Sequence, residues 1–122
     1  MTEEKLTMEA LKAELANSTG TEQYHKDLSG MLFTDGIAVM AEKAKAFWLI
    51  TDIGSYEKAT TKEKYPFQLW TLKVKKGKAV LAMQEDSNTP VLIKQNIPYT
   101  DFPEGEISFY VEDGILLLPS EH

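Results

Sequence analysis

The hydrophobic period of this chain changes once, at Pro66, and that change limits the fold more than any other feature. Before it apolar residues recur at helical spacing; beyond it they alternate, and a stretch patterned for one period cannot bury its apolar face in the other. Helices first and strands afterwards indicate an α+β fold, because a parallel α/β sheet would interleave them.

In the helical part, Met8, Leu11 and Leu15 mark a helix over about residues 3–16, closed by the cap and turn residues of "NSTGT". A second stripe runs through Ile37, Met40, Ala41, Ala44, Phe47 and Trp48, and Thr34 or Asp35 can accept a bond from its free first-turn amides. Around Phe47, Trp48, Leu49, Ile50 and Ile53 the apolar residues cover nearly the whole circumference, the mark of a central helix, set off by a break near Lys45 and weakened by Gly54.

In the alternating part, Trp70, Leu72 and Val74 share a face, "KKGK" turns, and Leu81 and Met83 return as a hairpin. "VLIKQNI" forms a third strand with Val91, Ile93 and Ile97 in phase; Ile107, Phe109 and Val111 form a fourth; "EDGI" makes a tight turn into "ILLLP". The expected architecture is two or three N-terminal helices on one face of a mainly antiparallel sheet of about five strands, in a single globular domain over residues 1–122. A chain of 122 residues suits one core.

Composition excludes several classes of function. With no cysteine there are no disulfides, thiolate metal sites or thiol nucleophiles. No apolar run approaches the roughly 20 residues of a membrane helix, and "MTEEKLTMEALKAEL" lacks the apolar core of a secretory signal. The expected location is cytoplasmic. The net charge is −6, and six acids (Asp101, Glu104, Glu106, Glu112, Asp113, Glu121) lie in residues 95–122 without a base, the other acids being balanced by the 13 basic residues. All of those are lysine, so the forked guanidinium that reads guanine or clamps phosphate is missing and direct nucleic-acid binding is disfavoured.

Candidate chemistry centres on "TEQYHKDLSGMLFTDG", which holds His25, the one histidine inside the chain. An imidazole oriented by a carboxylate can act as a general base, and Asp27 and Asp35 are nominal partners, with Ser29 a nominal nucleophile. Asp35 reads better as part of a helix start, where its charge also suits the dipole. Asp52 interrupts the most apolar segment and at helical spacing shares a patch with Trp48, Ser55 and Tyr56; a carboxylate buried there has a raised pKa. The candidate catalytic set is therefore His25, Asp27 and Asp52. No metal-ligand spacing, nucleotide-binding loop or hydrolase elbow occurs, and no cofactor or metal is expected.

A second candidate site is a contact surface. Tyr99 and Phe102 lie between Pro98 and Pro103, and restricted aromatics make efficient anchors. Together with Asp101 and the acidic turn residues Glu112 and Asp113, they define a protein-binding surface. The alternative places both rings in the core. Lys73, Lys75, Lys76 and Lys78 read as protection of an exposed hairpin edge. The leading expectation is a protein-binding module without catalytic activity. Its alternatives are a small acid/base hydrolase using His25, and an acidic mimic of nucleic-acid charge with its six acids on one face. A homodimer through a sheet edge is left open.

The phrases "TGTEQYH", "YPFQLWTLKV", "IPYTDFP" and "VEDGILLLPSE", spanning roughly residues 19–121, are similar to those of a family of small bacterial proteins of unknown function. The resemblance implies one compact domain whose last strand ends near Pro119. It carries no activity and no site residues with it.

Overall fold

The computed structural model describes residues 6–16, 23–56 and 65–121. Three helices and seven strands follow in the order α1 (Met8–Leu15), β1 (His25–Lys26), β2 (Leu32–Phe33), α2 (Asp35–Ala44), α3 (Phe47–Tyr56), β3 (Phe67–Lys75), β4 (Lys78–Gln84), β5 (Val91–Ile97), β6 (Gly105–Glu112) and β7 (Ile115–Leu117), and a 3₁₀ turn, Pro119–Glu121, ends the chain's described part.

Local chemistry sets the helix ends. Thr7 caps α1 by accepting from the Ala10 amide at 3.1 Å, so the helix begins later than its pattern suggested; residues 3–5 lie outside the described residues. Thr34, not Asp35, is the cap of α2, its hydroxyl accepting from the Ile37 amide at 3.3 Å. The expected break falls at Lys45, whose φ of 54° is left-handed, and Ala46 closes the turn with a 2.8 Å bond to the Ala41 carbonyl. This break resets the helical phase. Ile37, Met40, Ala41 and Ala44 are buried as expected, but Phe47 falls outside the stripe and is 51% exposed. Gly54 lies inside α3 at a close approach: a Cβ there would stand 2.0 Å from the Ser29 hydroxyl oxygen, so the glycine admits the turn that follows β1.

The strands form one sheet in the order β1-β2-β7-β6-β3-β4-β5, antiparallel except where β2 runs parallel to β7. It has two more strands than expected and is mixed, because β1 and β2 are two-residue elements too short to show a period. Both tight turns have two successive residues at positive φ, Lys76 (51°) and Gly77 (74°), then Asp113 (51°) and Gly114 (81°), the pattern that follows strand twist.

One sheet face carries Trp70, Leu72, Leu81, Met83, Phe109 and Val111, all buried against the helices. Gln68 is buried among them, accepting from the Trp70 indole at 2.8 Å and donating to the Tyr65 carbonyl at 2.9 Å. Side chains at both ends of the strand order meet neighbouring residues of α3: Asp27, just after β1, binds Thr51, and Gln95 of β5 binds Asp52. A flat sheet of seven strands would hold its edges about 29 Å apart. Contact with adjacent residues of one helix, about 10 Å across, means that the sheet coils around α3.

Candidate functional site

His25 enters the structure on β1 opposite Phe33, on whose ring it stacks at 5.3 Å between centroids. Its Nε2 lies 2.8 Å from Oδ1 of Asp35, the first residue of α2. Both side chains are more than a third exposed. The imidazole thus has an oriented carboxylate, but it is Asp35 and neither of the two acids in the candidate set.

Asp27 and Asp52 are occupied elsewhere. Asp27 accepts from the Ser29 amide at 3.0 Å and from the Thr51 hydroxyl at 3.2 Å, which pins the turn after β1 to α3. Burial pushes its pKa up, but bonds from Ser29, Thr51 and Leu28 outweigh this and hold it below the usual carboxylate value. Asp52 accepts from the Gln95 amide at 3.3 Å, while the Tyr56 hydroxyl donates to the Gln95 carbonyl at 2.8 Å. Burial raises the Asp52 pKa, and the Gln95 bond opposes it only in part. Ser55 donates instead to the Thr51 carbonyl. The patch is therefore a link between α3 and β5, and His25 does not join it.

A cavity of about 270 Å³ lies beside the histidine, lined by Tyr24, Thr34, Glu112, Asp113, Ile115, Leu117 and Glu121; neither His25 nor Asp35 lines it. Among the described residues no group of three or more histidine or acidic side chains could hold a metal.

The expected contact surface divides. Tyr99 is 75% exposed, with its hydroxyl donating to Asp101 at 3.1 Å, and that bond, followed by the Asp101 charge, raises its pKa. Phe102 is 4% exposed and plugs the core. Their loop is tied to the tip of the β3–β4 hairpin by the Thr100 amide on the Gly77 carbonyl (2.8 Å) and by Glu104, which accepts from the Lys76 amide at 2.9 Å. Glu112 and Asp113 sit at the other end of β6: Gly105 pairs with Val74 near that tip, whereas Glu112 pairs with Phe67. Along an eight-residue strand the separation is about 24 Å. The two groups therefore do not adjoin.

Nor do the six acids share a face. Glu104 serves the hairpin tip, Glu112 and Asp113 the opposite end, and Glu121 turns inward to accept from the Thr34 hydroxyl at 2.6 Å, the Leu118 amide at 3.1 Å and the Gly36 amide at 3.3 Å. The anion at the start of α2 is thus the chain's own carboxylate.

Beside Tyr99 lies a feature that the sequence pattern hid, a groove of about 930 Å³ with Val74, Ala79, Val80, Ile97 and Pro98 on its walls and Lys73, Lys75, Lys76 and Lys78 around it. These lysines guard no edge, because β5 and β6 flank the hairpin on both sides. Four lysines within six residues were the available signal; their placement on an interior hairpin was not legible. Among the described residues no helix is long and apolar enough to cross a membrane. No curated protein and no solved structure matches the chain. Residues 9–122 match the profile of a family of unknown function (DUF6876), and the chain belongs to that family.

Proposed function

We propose that this domain is a non-catalytic protein-binding module whose contact surface is the hairpin end of the sheet, centred on Tyr99 and the groove beside it. The observation that carries this reading is the ring of Tyr99, 75% exposed yet held by Asp101, in a loop tied to the hairpin tip. A large ring fixed in advance loses little freedom on binding, which is what makes tyrosine an effective anchor. The apolar walls next to it supply area that a partner can cover. Acid/base chemistry has weaker support: the 270 Å³ cavity lined by Tyr24 and Thr34 is lined by neither His25 nor Asp35, and the other two candidate acids belong to structural links.

The test is affinity capture from the native host with wild type and Tyr99→Ala compared quantitatively, folding being checked by circular dichroism. Phe102 is left intact because its removal would open the core. A partner depleted by Tyr99→Ala and retained by His25→Ala supports the module. An identical set of captured proteins with both Tyr99 forms refutes it.

A further inference from the structure

The sheet face turned away from the helices carries a trough at its hairpin end. Register sets Lys75 opposite Lys78, Lys73 opposite Val80, and Thr71 opposite Ala82 with Lys94 beyond, so these side chains all project on that face. The floor is β4, whose Val80 and Ala82 are short and half-buried; the walls are Lys73 and Lys75 on β3 and Lys94 on β5, and Lys78 closes the end. The groove of about 930 Å³ and a second of about 440 Å³ share Lys73 and Val80, so the two are continuous along β4. The ion pairs among the described residues are His25–Asp35 and Lys43–Glu14, and neither includes these four lysines, although Glu106 lies opposite Lys73 on β6. Like charges directly opposite one another across a strand pair are destabilising, and Lys75 faces Lys78 at the pair that closes the turn. A carboxylate laid over them relieves that repulsion.

The dimensions of the trough fit one kind of segment. Because β3 and β5 flank β4, the lysine walls rise about 10 Å apart, which is the width of an α-helix. From Lys78 to Gln84 the floor runs seven residues, about 20 Å, the length of a helix of about 13 residues. The backbone groups of β3 and β4 are taken up by ladders with a strand on either side. A segment lying on this face therefore finds no ladder to join and must satisfy its own amides and carbonyls, as a helix does and an extended chain does not. Charge decides the rest: lysines on both sides of an apolar floor match carboxylates on both sides of an apolar stripe.

We propose that this trough docks an amphipathic α-helix of another protein, its apolar stripe on Val80 and Ala82 and its flanking carboxylates over Lys73 and Lys75 on one side and Lys94 on the other. The inference rests on the binding-module reading and names the partner's chemistry; the trough runs past Pro98, the residue before Tyr99. Among the described residues a second copy of the chain offers no such helix, because the apolar stripes of α1, α2 and α3 are buried in its own core. A protein is favoured over nucleic acid because the apolar floor and Glu106 would meet phosphates there.

The test titrates the full chain against a fluorescent peptide of about 14 residues with leucines at helical spacing flanked by glutamates, read by anisotropy at several salt concentrations. The same residues rearranged in strict alternation serve as the control peptide. The helical peptide should bind more weakly as salt rises, gain helicity on binding, and shift the amide resonances of Val80 and Ala82. Lys73→Glu with Lys94→Glu, one change on each wall, should lower affinity about ten-fold or more. Ala82→Gln, which stands a longer side chain on the floor, should lower it too, whereas Lys26→Glu on β1, at the other end of the strand order, should leave it unchanged. Circular dichroism checks the fold of each variant. No binding, equal affinity for the alternating peptide, affinity indifferent to the wall reversals or equally sensitive to Lys26→Glu, tighter binding of a single-stranded oligonucleotide, or a dimer in sedimentation that the peptide dissociates would each overturn the proposal. If Tyr99→Ala still depletes a captured partner while the helical peptide fails to bind, the module stands and the acidic-helix inference alone falls.

Discussion

Replacing Glu121 by alanine removes a carboxylate that holds the end of the described chain to the start of α2. Three donors lose their acceptor: the Thr34 hydroxyl, the Leu118 amide and the Gly36 amide. A bond to a charged group contributes about 1.5–3 kcal/mol net, and a carboxylate at a helix N-terminus adds about 0.3–1 kcal/mol through the dipole. Because Glu121 is only partly buried, water replaces some of this, and a loss of about 2 kcal/mol is expected overall. For a chain of this size that lowers Tm by roughly 6–10 °C. Thermal unfolding followed by circular dichroism reads the change directly. Glu121→Gln keeps one carbonyl acceptor and should lose about half as much. Gly36→Ala should destabilise too, since its Cβ would stand 2.6 Å from the Glu121 oxygen and 2.7 Å from Leu118. The two sites share one contact, so the double variant Gly36→Ala, Glu121→Ala should cost less than the sum of its parts. A Glu121→Ala protein melting within about 2 °C of wild type would refute the reasoning.

Other expectations follow from the same geometry. Lys45→Gly relieves a left-handed residue with a Cβ and should stabilise by about 1 kcal/mol in urea unfolding. Asp27 has a folded pKa below its ordinary value of 3.8, so its contribution is complete above that value and is lost as pH falls through the lowered one. Asp27→Asn should therefore be destabilised at neutral pH, with the gap from wild type closing in acid. Asp52 has the opposite sign: with its pKa raised above 3.8, the charged form is penalised in the fold. Asp52→Asn should match or exceed wild-type stability at neutral pH, its advantage vanishing below pH 3.8. Melting curves across pH test both, and parallel profiles for the two variants would count against this assignment.

What the sequence alone determined about this protein is what neighbouring residues decide. The change of period at Pro66 separates helices from the main strands, a cap at Thr34 or Asp35 begins α2, Lys45 breaks the helical stripe, and "KKGK" and "EDGI" turn where the backbone takes two positive φ values in succession. These are short-range preferences, expressed whatever the rest of the chain does. Tertiary structure alone decided the features that join distant segments. Residues too few to carry a period become β1 and β2 only because β7 offers them an edge. His25 pairs with Asp35, one of several nominal carboxylates, because β1 lies beside the start of α2. Tyr99 and Phe102, three residues apart, take opposite environments at one end of β6 while Glu112 and Asp113 go to the other. Glu121 reaches Thr34 across 87 residues. Each of these depends on how a coiled sheet packs around α3, and composition and spacing contain no record of that distance.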